Sequence, residues 1–168
     1  LFASQYQASG ELPSRQGSGA NGIVPYRAYA TRDGELVVAA ASDGLFRRLA
    51  QVLGHPEWIT DTRFATNPQR VEQQVALYAM IEIEMAKRSN AAWIALLDAA
   101  GIPCAPVQNV AEMIAHEQTR ALGLLQQVPD SAMKFIGLPV SFDGMRPALR
   151  RRPPKLGEHT AEFFKKAK

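Results

Sequence analysis

"GSGANGIVPYRAYATRDGELVVAA", residues 17–40, decides how the rest of this chain is read. Its first six residues hold three glycines with Ser18 and Asn21. The remainder alternates apolar and polar residues on either side of Asp33-Gly34. Alternation with a period of two marks a half-buried strand, and an Asp-Gly pair accepts the positive φ of a tight hairpin turn. The stretch therefore predicts a β-hairpin, "VPYRAYAT" paired with "ELVVAAA", directly preceded by a flexible polar segment. Such a segment is either a plain linker, which composition favours, or a loop whose backbone must approach a ligand. Glycine amides come close to an oxygen-bearing group without Cβ interference and stabilise negative charge.

Helices are expected on the C-terminal side of the hairpin. "SDGLFRRLAQVLGHP" (42–56) has Ser42 or Asp43 to cap it, an apolar stripe of Leu45, Phe46, Leu49, Val52 and Leu53, and Gly54 with Pro56 to stop it. "EWITDTRFATN" (57–67) reads as a loop anchored by Trp58, Ile59 and Phe64. Asn67-Pro68 supplies a cap and a first-turn proline for a long helix to about Arg88, with Val71, Val75, Tyr78, Ile81 and Met85 inward. A further helix, "SNAAWIALLDAAG" (89–101), turns Trp93, Ile94 and Leu97 inward and closes at Gly101. "IPCAPV" is extended because of its prolines, "VAEMIAHEQTRALG" gives one or two short helices, and "LLQQV" gives a strand. Beyond Pro129 the chain becomes rich in Pro, Gly and Arg and ends in a short amphipathic helix. The fold class is α+β: a small β-hairpin or sheet, three to four helices and an extended C-terminal tail.

The 168 residues, 46% of them hydrophobic, suffice for one domain with a real core. A net charge of +3 is mild and suits a small anionic ligand at least as well as nucleic acid. The single cysteine, Cys104, excludes an internal disulfide framework and a cysteine-based zinc site. No stretch has the length of an apolar membrane span.

Catalytic groups are sparse. His55, His116 and His159 have no ligand-like spacing, so no metal is expected. Cys104, among apolar residues and prolines, reads as an inert thiol. No serine stands in a nucleophile elbow, and no lysine follows the glycines as a phosphate-binding loop requires. Asp33 belongs to its turn and Asp43 to a cap. "RRRPPK" (150–155) reads as a solvated tail, without the interleaved aromatics of a nucleic-acid surface.

Four landmarks in order, "NGIVPYRAYATRDGELVVAAASD", "LAQVLGHPEWITDTRFATNPQRV", "WIALLDAAGIPCAPVQNVAEM" and "PPKLGEHTAEFF", resemble the C-terminal half of the family III CoA-transferases, the CaiB/BaiF group. The resemblance implies a longer native chain whose N-terminal part is a Rossmann-like domain binding coenzyme A and carrying a nucleophilic aspartate. No carboxylate here matches that aspartate, so no catalytic residue is assigned. Residues 1–22 become a helix end and glycine-rich connection from the large domain, 23–138 the small domain, and 139–168 a tail returning to the large domain. The resemblance also implies an interlocked homodimer in the cytoplasm.

The implied reaction moves CoA between carboxylic acids through an acyl-aspartyl anhydride, with a CoA thioester as substrate. The glycine loop, Gly17, Ser18, Gly19, Ala20, Asn21 and Gly22, would then cover the anhydride, with Pro25 and Tyr26 fixing it to the hairpin. His159 would cap a helix. A 2-methylacyl-CoA racemase shares this pattern, and a stand-alone binding domain is a further alternative. Neither a nucleic-acid nor a membrane partner is expected.

Overall fold

The computed structural model describes residues 2–165. Leu1, read above as part of a helix end, and residues 166–168, read as the end of the terminal helix, lie outside the described residues. The chain divides into two compact units, one up to Val107 and one from Gln108.

The first unit contains the hairpin. Strands β1 (Tyr26–Ala30) and β2 (Glu35–Ala39) pair antiparallel, and β3 (Cys104–Pro106) adds to the other edge of β2. Period-two alternation puts Tyr29, Leu36 and Val38 on one face, each 1% exposed or less. Against that face pack α2 (Asp43–Leu53), α4 (Gln74–Met85) and α5 (Asn90–Ala99), contributing Phe46, Leu49, Leu53, Leu77, Ile81, Met85, Trp93 and Leu97. Each such side chain is worth about 1.5–3 kcal/mol of burial. A short helix, α1 (Phe2–Ser9), precedes the glycine loop and has no buried residue.

The hairpin turn is wider than the Asp-Gly pair predicts. Thr31 N–H donates to Gly34 O (2.9 Å), closing a four-residue loop, and neither Asp33 nor Gly34 has positive φ. Gly34 sits in a tight spot for a different reason: a Cβ there would lie 3.1 Å from Asn90 Nδ2, which would have to give way. Asp33 accepts from the Asn90 N–H at 2.7 Å, so it holds the start of α5 as well as its own turn.

α2 begins and ends as read. Ser42 Oγ accepts from Leu45 N–H, and Gly54 at φ +83° closes the last turn. The following segment is not wholly a loop, since Pro56–Ile59 forms a 3-10 turn that buries Trp58. The long helix expected to Arg88 is two helices, α3 (Asn67–Glu72) and α4, separated at Gln73. The break changes the helical phase. Val75, expected inward, is 81% exposed, and Leu77 takes the core position with Ile81 and Met85. The cap of α3 is Thr66 rather than Asn67; Gln69 Oε1 accepts from the Thr66 N–H at 3.0 Å.

Arg70 of α3 is 0% exposed inside this core. Its Nε donates to Val24 O (2.7 Å), Nη1 to Phe64 O (2.9 Å) and Nη2 to Asp43 Oδ1 (2.7 Å). The guanidinium also lies 4.4 Å from the Phe46 ring centroid.

The second unit has α6 (Val110–Ala115), α7 (Glu117–Ala121), a hairpin of β4 (Leu125–Gln127) and β5 (Lys134–Ile136), and α8 (Thr160–Lys165). Asn109 and Glu112 form a reciprocal cap at α6. The Gln126 side chain ties down residues 147–149, donating to Pro147 O and accepting from Leu149 N–H, both at 3.0 Å. Val128 is buried, whereas Phe142, Met145, Phe163 and Phe164 are exposed. The α+β class expected from sequence is the observed one. Its helices number eight among the described residues, because the break at Gln73 and the caps at Asn109 and His116 divide the helical sequence into short pieces.

Two predictions follow from this packing. Arg70→Met leaves two carbonyls and Asp43 without their donor and is expected to cost roughly 3–5 kcal/mol in urea denaturation. Asp43→Asn should cost about 1–2 kcal/mol. The double variant should lose less than the sum, because the two groups share one contact; strict additivity would refute the coupling. A second measurement concerns His55, whose Nδ1 lies 2.7 Å from Glu57 Oε1 and whose Nε2 lies 3.2 Å from Glu84 Oε1. The contact with Glu57, then that with Glu84, raises the imidazole above its ordinary 6.5. Its stabilisation is full below 6.5 and lost as pH rises through the higher folded value. Glu57 is held below its ordinary 4.5 chiefly by His55, and Glu84 chiefly by Lys87, so their stabilisation is lost on acidification. The melting temperature should therefore fall above pH 6.5 in the wild type, and that alkaline decline should be reduced in His55→Gln.

Candidate functional site

The glycine loop is fastened at its base and bare along its outer edge. Gly17 and Gly22 adopt φ of +58° and +74°, conformations that side chains with a Cβ rarely take. Gly19 has ordinary φ but no room, since a Cβ there would lie 3.1 Å from Gln16 O and 3.5 Å from Tyr26 O. Between them the chain folds on itself: Gly19 N–H donates to Gln16 O (2.9 Å) and Ala20 N–H to Tyr26 O (3.1 Å).

Side chains complete the mounting. Ser18 Oγ accepts from the Ala28 N–H of β1 at 3.1 Å, taking up a donor on the open edge of the sheet. Asn67 reaches back across the first unit. Its Nδ2 donates to Gly22 O (2.8 Å) and its Oδ1 accepts from Val24 N–H (3.0 Å). Arg70 then binds Val24 O, so the end of the loop meets two side chains of α3 in succession. Asn21 Nδ2 donates to Gln5 Oε1 of α1 at 3.1 Å. Pro25 O accepts from Ala40 N–H (3.1 Å), which joins the loop's exit to the strand that leaves the sheet.

The six loop residues named from the sequence thus lie together, on one strand edge. Among the described residues, the N–H groups of Gly17, Ser18, Asn21 and Gly22 donate to no protein acceptor. Four amide donors on an exposed glycine loop can receive an oxyanion or a carboxylate.

The other candidate groups are dispersed or spent. Burial, then Asp98, pushes the Cys104 thiol up, the direction that leaves less thiolate, and Sγ lies 3.8 Å from Asp98 Oδ1. Tyr29 is buried and its phenol raised, mainly by desolvation, so it stays protonated. Asp61 holds Arg63 in a two-bond contact of 3.1 and 2.7 Å. His159 stands immediately before α8, and its carbonyl accepts from Glu162 N–H at 3.1 Å. In "RRRPPK", Arg152 pairs with Glu158 at 2.5 Å while Arg150 and Arg151 are exposed. Among the described residues, no group of three His, Cys, Asp or Glu is placed to hold a metal.

Sequence reasoning missed Asn67 and Arg70 as supports of the loop. A signal for the first was present. Thr66-x-x-Gln69 is a capping-box pattern, which assigns the cap to Thr66 and leaves Asn67 for another role.

A family model for CoA-transferase family III matches residues 2–160. The chain belongs to that family. It is 38% identical over 147 residues to an acyl-CoA transferase of Fusarium pseudograminearum, covering 84% of this chain and 32% of that protein. It is 32% identical over 162 residues to a succinate–glutarate CoA-transferase of Agrobacterium fabrum, covering 95% of this chain and 40% of that one. The crystal structure of a CaiB/BaiF family protein from Brucella suis superposes with a TM-score of 0.80 at 32% identity, over 99% of this chain and 44% of that chain. The family III chain described here therefore spans less than half of the length of these relatives.

Asn67→Ala is expected to speed hydrogen exchange at Val24 roughly tenfold, the loss of about one hydrogen bond. Core amides of α4 and α5 should keep their protection. Unchanged exchange at Val24 would remove Asn67 from the mounting.

Proposed function

We propose that this chain is the loop-bearing part of an acyl-CoA:carboxylate CoA-transferase, a longer protein whose nucleophilic aspartate lies outside these residues. The observation that carries the proposal is the glycine loop itself: a fixed base, two left-handed glycines and four unspent amides, on a member of family III. In that protein the aspartate attacks the thioester carbonyl, the CoA thiolate departs, and an acyl-aspartyl anhydride forms. CoA thiolate then attacks the aspartyl carbonyl, releasing the donor acid and leaving an aspartyl-CoA thioester. The acceptor carboxylate attacks that thioester, after which thiolate attacks the acceptor carbonyl of the new anhydride and frees the aspartate. Alternatively, the acceptor carboxylate takes the acyl group first, and thiolate attacks the acceptor carbonyl of that mixed anhydride, releasing the donor acid. Either route fails if water arrives first.

The role assigned to this chain is to exclude that water and to offer donors to the charged oxygens. Gly17, Ser18, Gly19, Ala20, Asn21 and Gly22 form the cover, and β1 with α3 forms its mount. The domain scheme is part of the same proposal: residues 1–22 connect from a large CoA-binding domain, 23–138 form the small domain, and 139–168 return to the large domain in an interlocked cytoplasmic homodimer. The names of the curated relatives favour transfer over racemisation. The matched share of those relatives favours a part of an enzyme over an independent binding domain. Acyl-CoA and carboxylic acids are the substrates on this reading.

The experiment is a partition measurement on the full-length enzyme. Gly22→Val strains the backbone at φ +74°, and Gly19→Val brings a side chain against Gln16 O. Both should raise the ratio of thioester hydrolysis to CoA transfer by about tenfold or more, the share of a modest electrostatic or shielding contribution. Gly10→Ala, strained alike at φ +73° but outside the loop, should leave the ratio unchanged. An unaltered ratio in both valine variants would end the cover assignment.

A further inference from the structure

A second feature of the first unit has no part in the glycine loop. Arg32, Lys87 and Arg88 line a pocket of about 510 Å³ whose accessible apolar side chains are Val52 and Ala92, with the buried Leu53 and Trp93 behind them. The two arginines are held side by side by the main chain, Arg32 N–H donating to Arg88 O at 3.0 Å. Among the described residues neither has a carboxylate within ion-pair distance. The Arg88 guanidinium lies 5.3 Å from the centre of the Trp93 ring. That ring is itself fixed, its N–H donating to Met85 O at 2.8 Å.

The acids nearby are already engaged. Glu84 meets Lys87 at 2.6 Å and His55 at 3.2 Å, so one carboxylate is shared by an ammonium and an imidazole. Asp33, next to Arg32 in sequence, accepts from Asn90 N–H and from the Thr31 hydroxyl. Asp33 and Ser89 also cap the start of α5, so the helix end is not the attraction. Three cations against one shared carboxylate leave an excess of positive charge in a concave, partly apolar site, where fields are focused.

We propose that this pocket binds the phosphate of an organic phosphate, with Arg32 and Arg88 on its oxygens and the organic body along Val52 and Ala92. The excess charge matches a dianion rather than a lone carboxylate. Two guanidinium groups on the rim of one pocket suit the several oxygens of a phosphate. The volume is that of a site for a small organic molecule rather than for a bare ion. Two sources carry this chemistry, the nucleotide end of a CoA ester and a free nucleotide. Phosphate binding stands on the pocket alone, whereas assignment to a CoA ester rests on the reaction proposed above.

The test uses the full-length enzyme, with ADP as the probe and calorimetry at low ionic strength as the readout. Arg32→Glu should weaken ADP binding at least about tenfold, with a smaller loss in Arg32→Gln. The Arg32 side chain is exposed and only its backbone N–H is bonded here, so the melting temperature of both variants should match the wild type. A parallel rise in KM for the acyl-CoA assigns the pocket to the substrate's nucleotide end, and an unchanged KM assigns it to a free nucleotide. Equal ADP affinity in wild type and Arg32→Glu would overturn the proposal, as would no saturable ADP binding to the wild type. Displacement of ADP by succinate at equal concentration, abolished in Arg32→Glu, would overturn the phosphate assignment in favour of carboxylate.

Discussion

One guanidinium sets the geometry on which the first unit depends. Arg70 is wholly buried, and burial of an unpaired charge would cost far more than a domain's margin of stability. It persists because three of its nitrogens meet acceptors in three separate segments: Val24 at the end of the glycine loop, Phe64 in the connection after the 3-10 turn, and Asp43 in the first turn of α2. Two of those acceptors are carbonyls in irregular backbone, where no ladder is present to satisfy them. A buried carbonyl without a donor is itself a penalty, so cation and carbonyls solve each other's problem. Lysine has one compact head and cannot reach three directions at fixed angles. The consequence is positional: the loop's exit, α2 and α3 are fixed relative to one another by a single planar group.

That arrangement also explains where the sequence could be read and where it could not. The β1–β2 hairpin follows from period-two alternation, and α2 from an apolar stripe between a serine cap and a glycine stop. Both are local signals. Arg70 has no local signal, because an arginine early in a helix ordinarily faces water. Its burial is decided by carbonyls 46 and 6 residues away in sequence. The hairpin turn shows a subtler case. Asp33-Gly34 marks a turn correctly, but what favours the glycine is the close approach of Asn90 rather than a positive φ. The break at Gln73 was hidden because valine and tyrosine at helical spacing continue the apolar pattern through it. Only the packing of Leu77, Ile81 and Met85 selects the phase.

The glycine loop sits at the meeting of local and distant control. Its composition is visible at once and its place before the sheet is plain. What turns a flexible stretch into a shaped one lies elsewhere, in Ser18 on the β1 edge and in Asn67 across the unit. Composition alone favours a linker because flexibility is the default of such residues. The structure ties the loop down through Ser18, Ala20, Asn67 and Arg70, while among the described residues the N–H groups of Gly17, Ser18, Asn21 and Gly22 donate to no protein acceptor.

A cover on a reactive intermediate has two opposed requirements: it must reach the same place each time, and it must open to let substrate in. Extending the β-sheet through residues 17–22 would satisfy the first and prevent the second, since ladder bonds break together. A free linker would do the reverse. Hanging the loop by side chains separates the two demands. Asn67 and Arg70 are rooted in α3, so the exit at Gly22–Val24 moves only with the core. The other side is held to β1 by two neutral bonds, Ala28 N–H to Ser18 Oγ and Ala20 N–H to Tyr26 O, each worth about 1 kcal/mol. A contact of that size opens readily at ambient temperature. In the proposed cover, the side tied to α3 would stay with the core while the side tied to β1 opened.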